Sequence, residues 1–243
     1  MERDPLRHAD ALATGQHIEL DRVHARGLRF RQINPKEAFT IVDRVGAFFR
    51  ASLTELRDDG GSATVYEAMP SSTESPAHIT LLCAVLARQR MLGVVQKATE
   101  LGVMRVVPTL TERSVPRSGL AHEKAHAWPG QALRASRQCR RASVPEVADA
   151  VPLAAALGDG EVRNATHRFY LDDQVGEAAD LGEPTSTTRI VFAVGPEGGF
   201  TDSERALLRS HDASALRLGG RILRAETAAL VGLALLQRAF GDL

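Results

Sequence analysis

Apolar residues run unbroken from 190 to 194 and continue almost without a break from 228 to 236, whereas the first 70 residues carry only short bursts. Those bursts, at 16–20, 38–42, 47–53 and 63–67, are β-prone and separated by polar turns at 34–35, 43–46 and 58–61. They predict a small β-barrel over 1–70. Pro70 to Pro76 is polar and bracketed by prolines, which predicts a linker over 71–77. From 78 to 243 the pattern alternates. Strands are predicted at 78–86, 104–107, 167–172, 190–194 and 214–218, with helices at 91–101, at 131–142, from 201 and from 226. Alternation of this kind predicts an α/β domain with a mainly parallel sheet.

The run at 190–194 suits a strand covered on both faces, and Thr201-Asp202-Ser203-Glu204 has capping-box spacing. Between them, Val194-Gly195-Pro196-Glu197-Gly198-Gly199-Phe200 is therefore a strand-to-helix loop, where bare amides and a positive helix end meet a ligand. Many buried turns hold two glycines, so this loop alone is weak evidence. A second strand, the turn Gly219-Gly220 and a second helix repeat the arrangement. Two such loops side by side mark the place where open α/β sheets bind ligands.

Charge changes the picture locally. The 243 residues carry 30 basic and 30 acidic side chains, a balance unlike that of many RNA-binding proteins. Residues 113–141, however, hold seven Lys or Arg against Glu123 alone, and phosphates are held by patches and not by net charge. A solvated face is the equal alternative. Within that run, His122-Glu123-Lys124-Ala125-His126 satisfies the zinc motif H-E-x-x-H. Pro129-Gly130 follows too closely for a continuous helix, no third ligand is evident, and a polar connector without metal is favoured. Cys83 and Cys139 are too few to staple a fold, and Glu2, Arg3 and Asp4 begin no signal peptide; a reduced, cytoplasmic setting and no membrane are expected.

GPEGGF followed by TDSE, LGGRILRAETAAL, the ending ALLQRAFGDL, and the earlier VQKATELGV with TERSV resemble the ribosomal RNA small subunit methyltransferase E family of SPOUT methyltransferases. The resemblance spans most of 78–243 and is looser before it. It implies a carboxyl-terminal trefoil knot over 78–243, a PUA-like RNA-binding barrel over 1–70, and S-adenosylmethionine as cofactor. The implied reaction is methylation of N3 of a uridine in 16S ribosomal RNA, free or in the small subunit, by a homodimer. Implied cofactor contacts are Leu171, Val194, Gly195, Pro196, Glu197, Gly198, Gly199, Leu218, Gly219, Ile222, Leu223 and Thr227. Arg224 is the candidate for stabilising a uracil anion, with an ion pair to Glu197 or Glu226 as its structural alternative; Glu226 and Glu197 are candidate bases. RNA contacts are expected from Arg26, Arg29, Arg31, Arg50, Arg113, Arg137, Gln138 and Arg141. Three departures stand out: Pro35-Lys36-Glu37 replaces a glycine-aspartate turn, Arg44 stands where glycine is common, and Arg137 and Arg140 replace an acid and a glycine. Two other readings stay open, a non-catalytic RNA-binding protein on this fold and a zinc hydrolase using His122, Glu123 and His126.

Overall fold

The computed structural model describes residues 2–174, 181–183 and 188–243. The chain forms two compact units, Met1–Glu74 with Leu133–Val144, and Ser75–Ala132 with Pro145–Leu243. The first boundary between them falls after Glu74, and a later segment, Leu133–Val144, joins the first unit.

In the first unit, β1 (His17–Leu20), β2 (Ala38–Val42), β3 (Phe48–Leu56) and β4 (Gly61–Ala68) form an antiparallel sheet in the order β1-β4-β3-β2. This corrects the barrel expectation: the sheet is an open path with β1 and β2 at its edges. Helix α1 (Arg22–Phe30) lies between β1 and β2 in the chain. Asp21 caps it, accepting from the His24 amide at 2.9 Å, while the His24 ring reaches back to the Asp21 amide. Histidine at the third helical position fills the reciprocal role more often taken by Glu or Gln, so the capping-box signal was hidden. Ala25 and Leu28 of α1 are fully buried.

The second unit contains β5 (His78–Ala84), α2 (Arg88–Glu100), β6 (Arg105–Leu110), the start of α3 (Trp128–Gln138), β7 (Glu146–Val147), β8 (Val151–Pro152), α4 (Leu153–Gly158), α5 (Gly160–Arg163), β9 (His167–Leu171), β10 (Arg189–Val194), α6 (Asp202–Ser210), β11 (Ser214–Leu216) and α7 (Ala225–Phe240). Its sheet runs β11-β9-β10-β5-β6-β7, with β8 also on β6, and every pairing is parallel. Pro129 sits in the first turn of α3, where a missing amide hydrogen costs no helical bond, so it starts the helix instead of kinking it.

Strand β10 shows why its sequence is apolar throughout. Ile190, Phe192 and Val194 pack in one core with α2 and α7, while Val191 and Ala193 pack in another with α4, α5 and α6. Gly232 of α7 lies flush against the Phe192 ring, where a Cβ would overlap it. The small residue therefore serves the chain's own core. Gly232→Ala is expected to cost about 2 kcal/mol through overpacking, measured as a lowered denaturant midpoint. Cys83 on β5 is a free thiol pushed up to about 12, chiefly by burial and further by Glu197, and is inert at neutral pH. Among the described residues, no helix is long and apolar enough to cross a membrane, and no group of three or more His, Cys, Asp or Glu is placed to hold a metal ion.

Candidate functional site

At the carboxyl ends of β9, β10 and β11 the chain encloses a cleft of about 300 Å³. That volume is at the lower end of small-molecule sites. Three loops line it. Val194 closes β10 and Gly195, Pro196, Glu197, Gly198 and Gly199 follow it; after β11 come Leu218, Gly219, Ile222 and Leu223; Leu171 closes β9. Eleven of the twelve expected cofactor residues thus border one space. Thr227 does not line it and is exposed on α7.

Local chemistry explains the loop shapes. Thr201 accepts from the Glu204 amide at 3.3 Å and its own amide donates to Glu204 at 2.9 Å, which starts α6 directly after the glycine loop. Gly199 and Gly219 have φ of +68° and +80°, a region that disfavours side chains. At Gly195 a Cβ would meet the Phe200 amide nitrogen at 3.2 Å. The first glycine allows the turn to close on itself, and the last leaves the main chain bare toward the cleft.

Two ion pairs fix the rim. Arg90 of α2 bonds Glu197 of the glycine loop, and its Nε lies 3.8 Å from Glu226 in the first turn of α7. Both carboxylates proposed as Arg224 partners are therefore engaged by Arg90. Arg224, the residue preceding α7, is exposed, and its side chain makes no hydrogen bond or ion pair among the described residues. Glu226 keeps one carboxylate oxygen, Oε2, buried and without a partner. Arg113 donates to the Gly198 carbonyl at 2.6 Å and its Cδ would lie 3.0 Å from a Cβ there. Arg113→Ala is expected to loosen this loop and weaken cofactor binding about fivefold, the roughly 1 kcal/mol net worth of one hydrogen bond, as read by calorimetry.

Residues 73–237 match the RNA methyltransferase domain family. Ribosomal RNA small subunit methyltransferase E from Synechocystis is 30% identical over 212 residues, covering 85% of this chain and 67% of the relative. The crystal structure of the enzyme of that name from Neisseria gonorrhoeae, bound to S-adenosyl methionine, superposes with a TM-score of 0.69 at 31% identity over 98% of this chain and 99% of the other. The chain belongs to the ribosomal RNA small subunit methyltransferase E family. A Legionella pneumophila structure in complex with the bound cofactor SAM gives a TM-score of 0.67 at 28% identity, with 98% of each chain covered.

In this methyltransferase the residues expected to contact RNA divide sharply. Arg26 and Arg29 are exposed on α1, bridged to Glu2 at 3.0 Å and Asp58 at 2.8 Å. Arg22 lies on the same face, one turn before Arg26, and is a basic position that sequence reasoning missed. Gln138 is exposed at the end of α3, and Arg137 pairs with Glu37 at 3.0 Å. Arg31, Arg50 and Arg141 are 5%, 8% and 7% exposed. Arg31 donates to the carbonyls of Glu2 and Asp4, each at 2.6 Å, and of Ala142 at 3.0 Å. Burial pushes its guanidinium down to about 10, with Asp4 and Glu74 pulling the other way. Arg141 donates to Glu74 at 2.7 Å. The guanidiniums of these three point into their own unit, which long-range partners explain and local sequence does not.

The H-E-x-x-H segment is no helix. Lys124 has φ of +52° ahead of a short 3₁₀ turn, so the exposed His122 and His126 do not stand one α-helical turn apart. Glu123 instead accepts from the Arg88 amide and caps α2. Missed cleft residues include Asp172, Arg205 and Arg217. Asp172 and Arg217 follow directly after β9 and β11, a position in open α/β sheets that was itself a signal.

Proposed function

We propose that this methyltransferase uses S-adenosylmethionine to methylate N3 of a uridine in 16S ribosomal RNA, giving 3-methyluridine. The observation that carries the reading is the single cleft bordered by two glycine-bearing strand-to-helix loops, in a chain aligned over 98% of its length with a relative solved with S-adenosyl methionine. The residues present suit that cofactor. Gly199, Gly219 and Gly220 leave open space where side chains would stand, and Leu171, Val194 and Leu223 supply apolar wall for an adenine. When bound, S-adenosylmethionine supplies a methyl group on a positively charged sulfur, already a good electrophile.

The chain's own work is then alignment and charge control. Uracil N3 carries a proton and becomes nucleophilic once it is lost. Arg224 is assigned to stabilise the resulting anion, supported by its exposure and its lack of a competing partner. Glu226, in the first turn of α7 beside Arg224, is assigned to accept the N3 proton. Arg22, Arg26 and Arg29 on α1, with Gln138, form the proposed RNA-facing set, in a first unit acting as the PUA-like module.

A trefoil knot is proposed for the second unit. It is supported by α7 returning from β11, at the sheet edge, to pack Gly232 on β10, the third strand in. A homodimer is supported by Val231 and Leu235, exposed one turn apart on α7, and sedimentation at micromolar concentration tests it. A ribosomal substrate implies cytoplasmic placement. Calorimetric titration with S-adenosylmethionine tests the cofactor assignment: one site per chain is expected, and no heat of binding overturns it.

A further inference from the structure

Arg50 of β3 is 8% exposed, yet it forms no ion pair among the described residues. Its Nη1 donates to the Thr40 hydroxyl at 3.0 Å, a neutral partner that itself donates to the Arg140 carbonyl at 2.8 Å. Its Nε is buried without any partner, as is Ser136 Oγ. Both residues line one cavity of about 20 Å³ within the first unit, together with Arg31, Arg137 and Arg141 and no acidic residue.

The neighbouring charges do not cancel. Arg141 is matched by Glu74 at 2.7 Å, Arg137 by Glu37 at 3.0 Å and Arg140 by Glu67 at 3.3 Å, while Asp4 acts electrostatically on Arg31. Glu67 stands across from Arg50 in the β3–β4 register, but its carboxylate pairs with Arg140. Arg50 is the guanidinium left over, one positive charge in all. An arginine cannot shed its proton to relieve burial, and a buried charge without a counter-charge is strongly unfavourable.

We propose that the first unit binds one small inorganic monoanion of halide size in this cavity, held by Arg50 and Ser136. The cavity admits a guest of water size, the size class of a halide, and one unmatched positive charge calls for one negative charge. Water would satisfy Nε and the hydroxyl but leave the charge standing; a halide does both. Its place joins β3 to the end of α3, so the anion staples the later segment to the sheet within one unit. This role is independent of the methyl-transfer reading.

Thermal unfolding of the full chain in sodium chloride, sodium bromide or sodium gluconate at equal ionic strength tests it. The halides are expected to raise the midpoint by roughly 3 °C for each tenfold increase above their dissociation constant, with gluconate flat. Arg50→Met is expected to abolish that dependence, and crystals soaked in bromide to show an anomalous peak between Arg50 and Ser136. Equal midpoints in halide and gluconate overturn the proposal, as does a bromide peak confined to surface arginines, an adventitious ion only. Retained halide dependence in Arg50→Met overturns it too. If that variant fails to fold, the wild-type comparison and the bromide peak decide. Should stability ignore halide while Arg50→Met weakens RNA binding, the guanidinium meets an RNA phosphate and the proposal falls.

Discussion

Arg224→Met is expected to bind S-adenosylmethionine with the wild-type dissociation constant and to methylate RNA about 10²–10³-fold more slowly, the usual effect of losing one preorganised charge at a developing anion. The separation of binding from rate follows from position. Arg224 precedes α7 but does not line the cleft, and its side chain leans on no carboxylate, so its removal leaves the loops tied by Arg90 and Arg113 intact. Single-turnover rates beside calorimetry check both halves. A variant that loses cofactor affinity and rate in proportion makes Arg224 part of the binding wall. One with wild-type rate removes it from the chemistry.

Glu74→Gln is expected to cost about 3 kcal/mol or more, because it leaves a buried arginine unmatched. Glu74 accepts from Arg141 Nη2 at 2.7 Å and Nε at 3.1 Å, and from the amides of Ala142 at 2.8 Å and Ser143 at 3.0 Å. The Arg141 side chain is 2% exposed. Burial works to raise the Glu74 pKa, but the Arg141 charge and the bonds from Arg141 and Ser143 outweigh it and hold the carboxyl below its ordinary 4.5. Between the lowered value and 4.5 the unfolded chain binds more protons than the folded one. The stabilisation is therefore complete above about pH 4.5 and disappears as pH falls through the folded value. Urea midpoints across pH 3–7 measure this. The wild type loses stability on acidification, and the variant shows a lower midpoint with a shallower acid limb.

Those two residues show what sequence does and does not disclose. The site was legible because its determinants are local: an apolar strand, glycines that need positive φ, and Thr201 and Glu204 three residues apart. Glu74 and Arg141 are 67 residues apart, and nothing near either names the other. Read locally, one is a linker residue and the other a surface cation, and burial reverses both readings. The open sheet is likewise not a local matter: its edge strands β1 and β2 follow one another in the chain with only α1 between them, yet they stand at opposite ends of the sheet. Lys36 and Arg140, standing where the family resemblance leads one to expect a glycine turn and a glycine, have φ of +76° and +64°. The backbone keeps the left-handed shape and the side chains bear the strain, of order 1 kcal/mol each.

Incubating the purified chain with unmodified small-subunit ribosomal RNA and methyl-labelled S-adenosylmethionine, then digesting the RNA to nucleosides for mass spectrometry, tests the central assignment most directly. The account predicts label in 3-methyluridine at one uridine, with none transferred by Arg224→Met on the wild-type timescale. Label in a different nucleoside, or RNA that binds the protein and stays unlabelled, contradicts it.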